Sequence, residues 1–324
     1  MNRRQVIISA AAIGGAGLLM RGGASAQTKL TMMVFPGIPN LPLFAAQSNG
    51  FFAKRDLAVE IKYTPNFDEQ RAGLADGRFP LVHTAADNAV AVVEVDKVDV
   101  AIVMGGDDSL NHLFVAPGIK SYADIKGKTV LVDAPNTAYA FQLYAMLKQH
   151  GLAKGDYVVK SVGGTTARLN GLQDGTGVAA MLNPPFSTRG EREGLRDMGS
   201  AAQALGAYQG QSAVVLRSWA RANQDTLVRY LQSYLEGLRW SLDHANKDAA
   251  VKLYVENLHL PADIASECYD IATQPKGGLV VDGALDMDGF RNVLKLRTEF
   301  EGGPPLAPEK YLDLSYYRRA LAAM

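Results

Sequence analysis

The chain has 324 residues, with 33 Lys and Arg against 33 Asp and Glu and a single cysteine, Cys268. Apolar residues make up 48 % and charged ones 20 %, which excludes a disordered chain, and the length fits about two domains with buried cores. A net charge of zero argues against the basic excess of a nucleic-acid groove, and one cysteine excludes an intramolecular disulfide and a Cys-based zinc or cluster site.

The first 26 residues read as a secretory signal. Arg3 and Arg4 start it, Val6 to Met20 is an apolar stretch broken by Gly14, Gly15 and Gly17, and Ala24-Ser25-Ala26 supplies the small residues of a cleavage site. The stretch is short for a bilayer span of about 20 residues. The arginine pair and Arg21 lean toward the twin-arginine route, although Asn2-Arg3-Arg4-Gln5-Val6-Ile7 lacks the usual Ser before the pair and Phe-Leu after it; the general secretory route is the alternative. Cleavage after Ala26 would leave an exported protein with 30 basic and 33 acidic residues.

From Leu30 onward short apolar runs alternate with amphipathic stretches, the pattern of βα units on a parallel sheet. Strands are predicted at Leu30–Phe35, Leu57–Tyr63, Leu81–Thr84 and Val98–Met104, with helices at Leu41–Ser48, Glu69–Asp76 and Ala86–Glu94. His112–Val115 is a further strand, and Ser121 caps a one-turn helix over Tyr122–Ile125. Strands at Thr129–Val132, Tyr157–Val162 and Val178–Leu182 then alternate with helices at Tyr139–His150, closed by Gly151, and Thr165–Gln173. Ser212–Leu216 is the last clear strand. Leu227, Leu231, Tyr234, Leu238 and Leu242 give the long helix from Gln224 to His244 one apolar face, and the remainder is mostly helical. Two groups of strands imply two lobes: residues 27–115 and 212–324 in one, with residues 116–211 inserted as the other. A cleft between lobes is a favoured place for a small ligand.

Several segments together resemble a known family. Pro42-Leu43-Phe44-Ala45-Ala46 leads into Gly50-Phe51-Phe52 and Leu57-Ala58-Val59-Glu60; Leu74-Ala75-Asp76-Gly77 and Ser121-Tyr122-Ala123-Asp124-Ile125-Lys126-Gly127-Lys128 follow at the family's order and spacing. This resembles the periplasmic solute-binding proteins of ABC importers, in the subgroup that handles nitrate, alkanesulfonates, taurine and thiamine pyrimidine precursors. The acidic residue often found after the third element is absent here (Phe79-Pro80-Leu81). The resemblance spans roughly residues 30–245. It implies a two-lobed type II periplasmic binding fold of α/β class, with parallel-rich sheets, helices on both faces and a ligand cleft at the hinge.

In such sheets ligands gather beyond the carboxyl ends of strands, where helix N-termini favour anions. The turns so placed carry the candidate ligand-binding residues Asn40, His83, Asp87, Asn88, Asp107, Asn136, Thr137, Tyr139, Asn183, Phe186, Tyr208 and Gln209. Asn40, Asp87, Asn136 and Thr137 also suit helix capping. His83 is either a core histidine or a cleft donor that titrates near neutrality. Asp107, in Gly105-Gly106-Asp107-Asp108, is either part of a solvated acidic turn or an acceptor for a ligand amine or hydroxyl. Phe35, Tyr139, Phe186 and Tyr208 suit either a lobe core or the faces of a flat ligand. Arg168 is the sole arginine near these turns, three residues inside its helix, where a solvated position is the alternative. Amides, aromatics and one histidine fit a small organic ligand better than nitrate.

Other motifs fail on context. Gly127-Lys128-Thr129 lacks the first glycine of a P-loop, and Gly175-x-Gly177 leads into a strand where a dinucleotide fingerprint must follow one. The five histidines show no metal-ligand spacing. No cofactor and no metal are therefore expected. The expected function is capture of a small organic molecule (a sulfonate, carboxylate, aromatic or pyrimidine-like compound) in the periplasm by a monomer that delivers it to an inner-membrane ABC permease and its ATPase. Nucleic acid is not an expected partner, and no enzymatic step is expected. The alternatives are an enzyme on the same fold, related to thiamine-pyrimidine synthesis, or a ligand-sensing partner of a membrane receptor. The related synthases carry a cysteine-rich motif that a chain with Cys268 alone does not have.

Overall fold

The alternation of apolar runs and amphipathic stretches builds βα units from the first described strand. The computed structural model describes residues 27–324, so the expected export signal lies outside the described residues. The chain begins with β1 (Thr28–Val34), α1 (Leu41–Ser48), β2 (Leu57–Tyr63), α2 (Phe67–Ala75), β3 (Leu81–Ala85), α3 (Ala86–Glu94) and β4 (Val100–Met104). It continues through β5 (His112–Val115), β6 (Thr129–Val132), α4 (Ala138–Gln149), β7 (Val158–Ser161), α5 (Thr165–Gln173) and β8 (Ala179–Leu182). Next come α6 (Phe186–Arg192), β9 (Arg196–Ser200), α7 (Ala201–Leu205) and β10 (Gln211–Leu216). Helices complete it: α8 (Arg217–Ala222), α9 (Gln224–Leu242), α10 (Lys247–Leu258), α11 (Ala262–Ala272), α12 (Met287–Glu301) and α13 (Ser315–Ala322).

Two five-stranded sheets result, in the orders β2-β1-β3-β10-β4 and β7-β6-β8-β5-β9. Each follows one plan. Three strands run parallel, and one antiparallel strand lies between the third of them and the edge: β10 between β3 and β4, β5 between β8 and β9. The α/β class with helices on both faces is thus as the sequence implies, with each sheet parallel-rich and mixed.

The lobe boundary expected after residue 115 requires correction. β5 (His112–Val115) pairs with β8 and β9 in the second sheet, so the chain crosses between sheets before His112. Its run Leu113-Phe114-Val115 is buried and apolar, a property either sheet would accept. The open edge of β8 decides its place. The sequence also did not reveal α6, β9, α7 and α8. β9 is an edge strand reading Arg-Asp-Met-Gly-Ser, largely open to water, and carries no apolar alternation to announce it.

The apolar stripe of α9 does what its spacing predicts. Leu227, Leu231, Tyr234 and Leu238 are at most 1 % exposed and join α1, α10 and α11 over the first sheet. Each such side chain contributes about 1.5–3 kcal/mol on full burial. The helix stops at Leu242 because the Asp243 carboxylate accepts from the Ala245 N–H and starts a separate turn. α1 packs so closely on α9 that a Cβ on Gly237 would lie 2.2 Å from the Pro42 carbonyl oxygen. A second core crosses between the sheets: Val82 and Val90 meet Val130 and Phe141 through Phe290, Val293 and Leu294 of α12. The lobes are therefore joined by packing as well as by the chain.

Candidate functional site

The two crossing segments run side by side at the junction of the lobes. Residues 105–111 leave β4 for β5, and residues 206–210 return toward β10. They are laced together: the Gly210 N–H donates to the Asp107 carbonyl at 2.9 Å, and the Gln209 side-chain amide donates to the same oxygen at 3.2 Å. Gly210 has to be glycine, because a Cβ there would meet Asp107 Oδ1 at 2.0 Å. Asp107 itself is 4 % exposed and accepts from the Ser109 N–H at 2.9 Å. Burial pushes its carboxyl up to about 6, against the pull of the backbone N–H groups of Ser109 and Gln211.

In front of this junction lies a cavity of about 370 Å³. Its walls are the turns at the carboxyl ends of β1, β2 and β3 on one side and of β6, β7 and β8 on the other, where ligands collect in open α/β sheets. The lobes approach at the rim: a Cβ on Gly164 would lie 3.0 Å from the Pro65 carbonyl oxygen, and one on Gly37 would lie 3.7 Å from Asn183 Nδ2. A smaller recess of about 60 Å³ continues toward the hinge, past Asp107 and Gln142.

Seven of the expected residues line these spaces. Asn88, Tyr139, Asn183 and Phe186 face the main cavity, while His83, Asp107 and Tyr208 face the recess, which Tyr139 and Asn183 also border. His83 is not a titrating cleft donor. Burial pushes its imidazole down to about 3, and the ring shares a 2.8 Å hydrogen bond with the Tyr230 hydroxyl, so it stays neutral. Burial raises the phenols of Tyr139, to about 12, and Tyr208, so both remain neutral hydroxyls.

The other five are not among the residues that line the cavity or its recess, and each makes hydrogen bonds within the protein. Asn40 is 1 % exposed and its side-chain amide donates to the Phe35 carbonyl at 2.7 Å, fixing the turn that carries Phe35. Asp87 takes both arms of Arg297, at 2.7 and 2.9 Å. The Asn136 carbonyl accepts a third bond from Arg297 at 3.1 Å. Thr137 is a helix cap: its Oγ1 accepts from the Ala140 N–H at 3.4 Å and donates to Asp133 Oδ1 at 2.5 Å. Gln209 braces the hinge, accepting from the Asp286 N–H at 2.8 Å.

Arg168 takes a position that neither expectation described. It is fully buried among the residues that border the cavity, and donates to the carbonyls of Met181 and Gly163 at 3.0 Å each and to Thr165 Oγ1 at 2.9 Å. The Tyr139 ring covers it at 4.7 Å. The wall segment Thr64–Asp68 escaped the sequence reading, although Asn66 is a regular N-cap, accepting from Glu69 N–H at 2.9 Å. Ser109, Asn111 and Gln142 in the recess escaped it too; Asn111 donates to Gln142 Oε1 at 2.8 Å, a pairing between distant segments that no local motif announces.

The family model described as NMT1/THI5 like matches residues 39–247. No curated protein matches the chain. Among solved structures, a protein of Bordetella bronchiseptica RB50 is 21 % identical, with a TM-score of 0.76 over 92 % of this chain and 98 % of that one. The periplasmic nitrate-binding protein NrtA of Synechocystis PCC 6803 is 12 % identical, with a TM-score of 0.74 over 92 % of this chain and 89 % of that one. The periplasmic aliphatic sulphonate binding protein SsuA of Escherichia coli is 16 % identical, with a TM-score of 0.70 over 91 % of this chain and 100 % of that one. These likenesses establish a shared periplasmic binding protein fold.

Proposed function

The chain belongs to the NMT1/THI5-like family, and on that premise we propose that it is an extracytoplasmic solute-binding protein that captures a small organic molecule between its lobes and passes it to an ABC permease. The cavity of about 370 Å³, walled by strand-end turns from both sheets in front of a two-segment hinge, is the observation that carries this reading. A ligand touching both walls favours the closed arrangement, and closure is a hinge motion of the crossing segments. Neighbouring structures of periplasmic proteins that bind nitrate and aliphatic sulphonate support a small-molecule cargo and a periplasmic location. Residues 27–115 and 212–324, less β5, form one lobe and the inserted segment the other.

The cargo leaves unchanged. Cys268 is buried in the core formed with α9 and α10, and burial pushes its thiol up to about 12, so no thiolate is offered to the cleft. The test is a thermal-shift and calorimetric screen of the mature protein against sulfonates, aromatic carboxylates, pyrimidines and nitrate. A solute at 100 times its Kd adds about 2.7 kcal/mol of stability. Recovery of the bound solute intact supports transport. A flat screen, or turnover of the solute, overturns the proposal.

A further inference from the structure

We propose that the protein carries a second binding site, on the α6–α11 side of the crossing segments, and that it takes an aliphatic polyamine whose ammonium groups reach carboxylates of both lobes.

A cavity of about 680 Å³ opens on that side and shares no lining residue with the cavity assigned to the cargo. The crossing segments wall it at Asp108–Leu110 and Gly206–Tyr208; α6, β5 and β9 of one lobe and α11 of the other complete it. Five carboxylates border it, those of Asp108, Glu191, Asp197, Glu267 and Asp286, with Lys276 as the sole lysine or arginine on the wall. Two of the five are matched within the protein. Asp197 meets His112 Nδ1 at 2.7 Å, and Glu267 accepts from Arg192 at 2.9 Å. The other three keep an oxygen to offer. Asp108 Oδ2 accepts from the Gly277 N–H at 2.9 Å, while its Oδ1 is buried with no partner. Asp286 Oδ1 takes the Asp288 N–H at 3.0 Å, and Glu191, exposed on α6, forms no ion pair among the described residues.

Two hydroxyls point to a ligand independently of these charges. Ser187 on α6 and Ser200 at the end of β9 are 7 % and 8 % exposed and line the cavity, and among the described residues neither side chain makes a hydrogen bond. A buried hydroxyl is costly until a partner completes it. Hydroxyls serve a ligand of either charge, so the carboxylates decide the sign. An anion is repelled here, whereas each ammonium group brings three donors and no acceptor.

The layout also decides the shape of the cation. Among the described residues no three acidic, histidine or cysteine groups gather closely enough to hold a metal ion. Leu110, Phe114 and Ile271 place apolar surface on the same walls. A methylene chain lies along such surface while its charged ends reach polar groups, as a lysine stem does. Glu191 and Asp286 belong to different lobes, so one polyamine reaching both ties the lobes together beside the hinge.

The probe is spermidine, titrated calorimetrically at low salt, where charge pairing is least screened. Hexane-1,6-diol, glutarate and magnesium ion are the neutral, anionic and compact-cation controls. Spermidine is expected to bind at one equivalent and the controls not at all. Glu191→Gln alters an exposed, unpaired side chain, so the variant folds, and it is expected to weaken spermidine about tenfold. Lys276→Met removes a competing cation and is expected to tighten it by about the same factor. Asp225→Asn, on α9 outside the cavity, removes an equal charge and is expected to leave the affinity unchanged. Absence of spermidine binding, diol or magnesium binding as tight as spermidine, or a loss in Asp225→Asn as large as in Glu191→Gln overturns the inference. Wild-type affinity in Glu191→Gln overturns it as well, because the amine is then held elsewhere, the cargo cavity included. The transport reading concerns the other cavity and is tested by its own screen.

Discussion

The contact between Asp87 and Arg297 offers the most demanding test of how the lobes are held. Arg297 on α12 grips Asp87 at the start of α3 through two bonds of 2.7 and 2.9 Å and reaches the Asn136 carbonyl in the second lobe at 3.1 Å. The side chains are 4 % and 1 % exposed, and the Phe141 ring lies 5.1 Å from the guanidinium. Burial pushes the Asp87 carboxyl up and the Arg297 charge pulls it back. Arg297→Met keeps the volume and strands the carboxylate, which costs about 3–5 kcal/mol for a buried pair broken on one side. At the usual unfolding entropy per residue, a chain of this size then melts about 5–8 °C lower. Replacing both partners, as Asp87→Leu with Arg297→Met, removes both desolvation penalties and is expected to return to within about 1.5 kcal/mol of wild type. Urea unfolding of the wild type, both single variants and the double variant supplies the cycle. A loss below about 1 kcal/mol in Arg297→Met, or a double variant as weak as the singles added together, would refute the argument.

Asp107 sets a pH dependence. Its carboxyl is raised from 3.8 to about 6, so the native state binds more protons than the unfolded one between those values and stability falls as pH rises through that window. The full difference is about 3 kcal/mol, and Asp107→Asn should remove it; unfolding curves of the two proteins that run parallel from pH 4 to 7 would contradict this. Gly237→Ala forces a methyl group against the Pro42 carbonyl at 2.2 Å and should cost about 1–3 kcal/mol in denaturant, where helix propensity alone favours alanine. Cys268, fully buried with its thiol raised to about 12, should resist a thiol reagent in the native protein and react only as the chain unfolds, so rapid labelling under native conditions would falsify its placement.

Periodicity made most of the elements legible. The helices Leu41–Ser48, Ala86–Glu94 and Thr165–Gln173 and the strands Leu57–Tyr63 and Thr129–Val132 have the limits that their patterns predict. These segments carry their own signals: an apolar run or stripe bounded by proline, asparagine or glycine. β9 carries no such signal, since an edge strand open to water needs no apolar face. The turns after β1, β3, β6, β7 and β8 that wall the cavity were also legible, because their place follows from strand order and chain direction; the turn after β2, residues Thr64–Asp68, was not.

What each side chain does in those turns was not legible. Asp87 and Asn88 are neighbours in sequence; one is locked to an arginine 210 residues away, and the other leaves an oxygen without a partner at the cavity. Whether Arg168 faces water or a protein interior depends on Met181 and Tyr139 arriving beside it, and whether β5 joins one sheet or the other depends on a free strand edge. The sequence by itself determined the α/β elements, the family and the turns where a ligand meets the sheets, since these rest on local periodicity and motif order. Only the tertiary structure decided which polar groups are already spent on the protein and which remain for a ligand, because burial and hydrogen-bond partners are set by segments far apart in the chain.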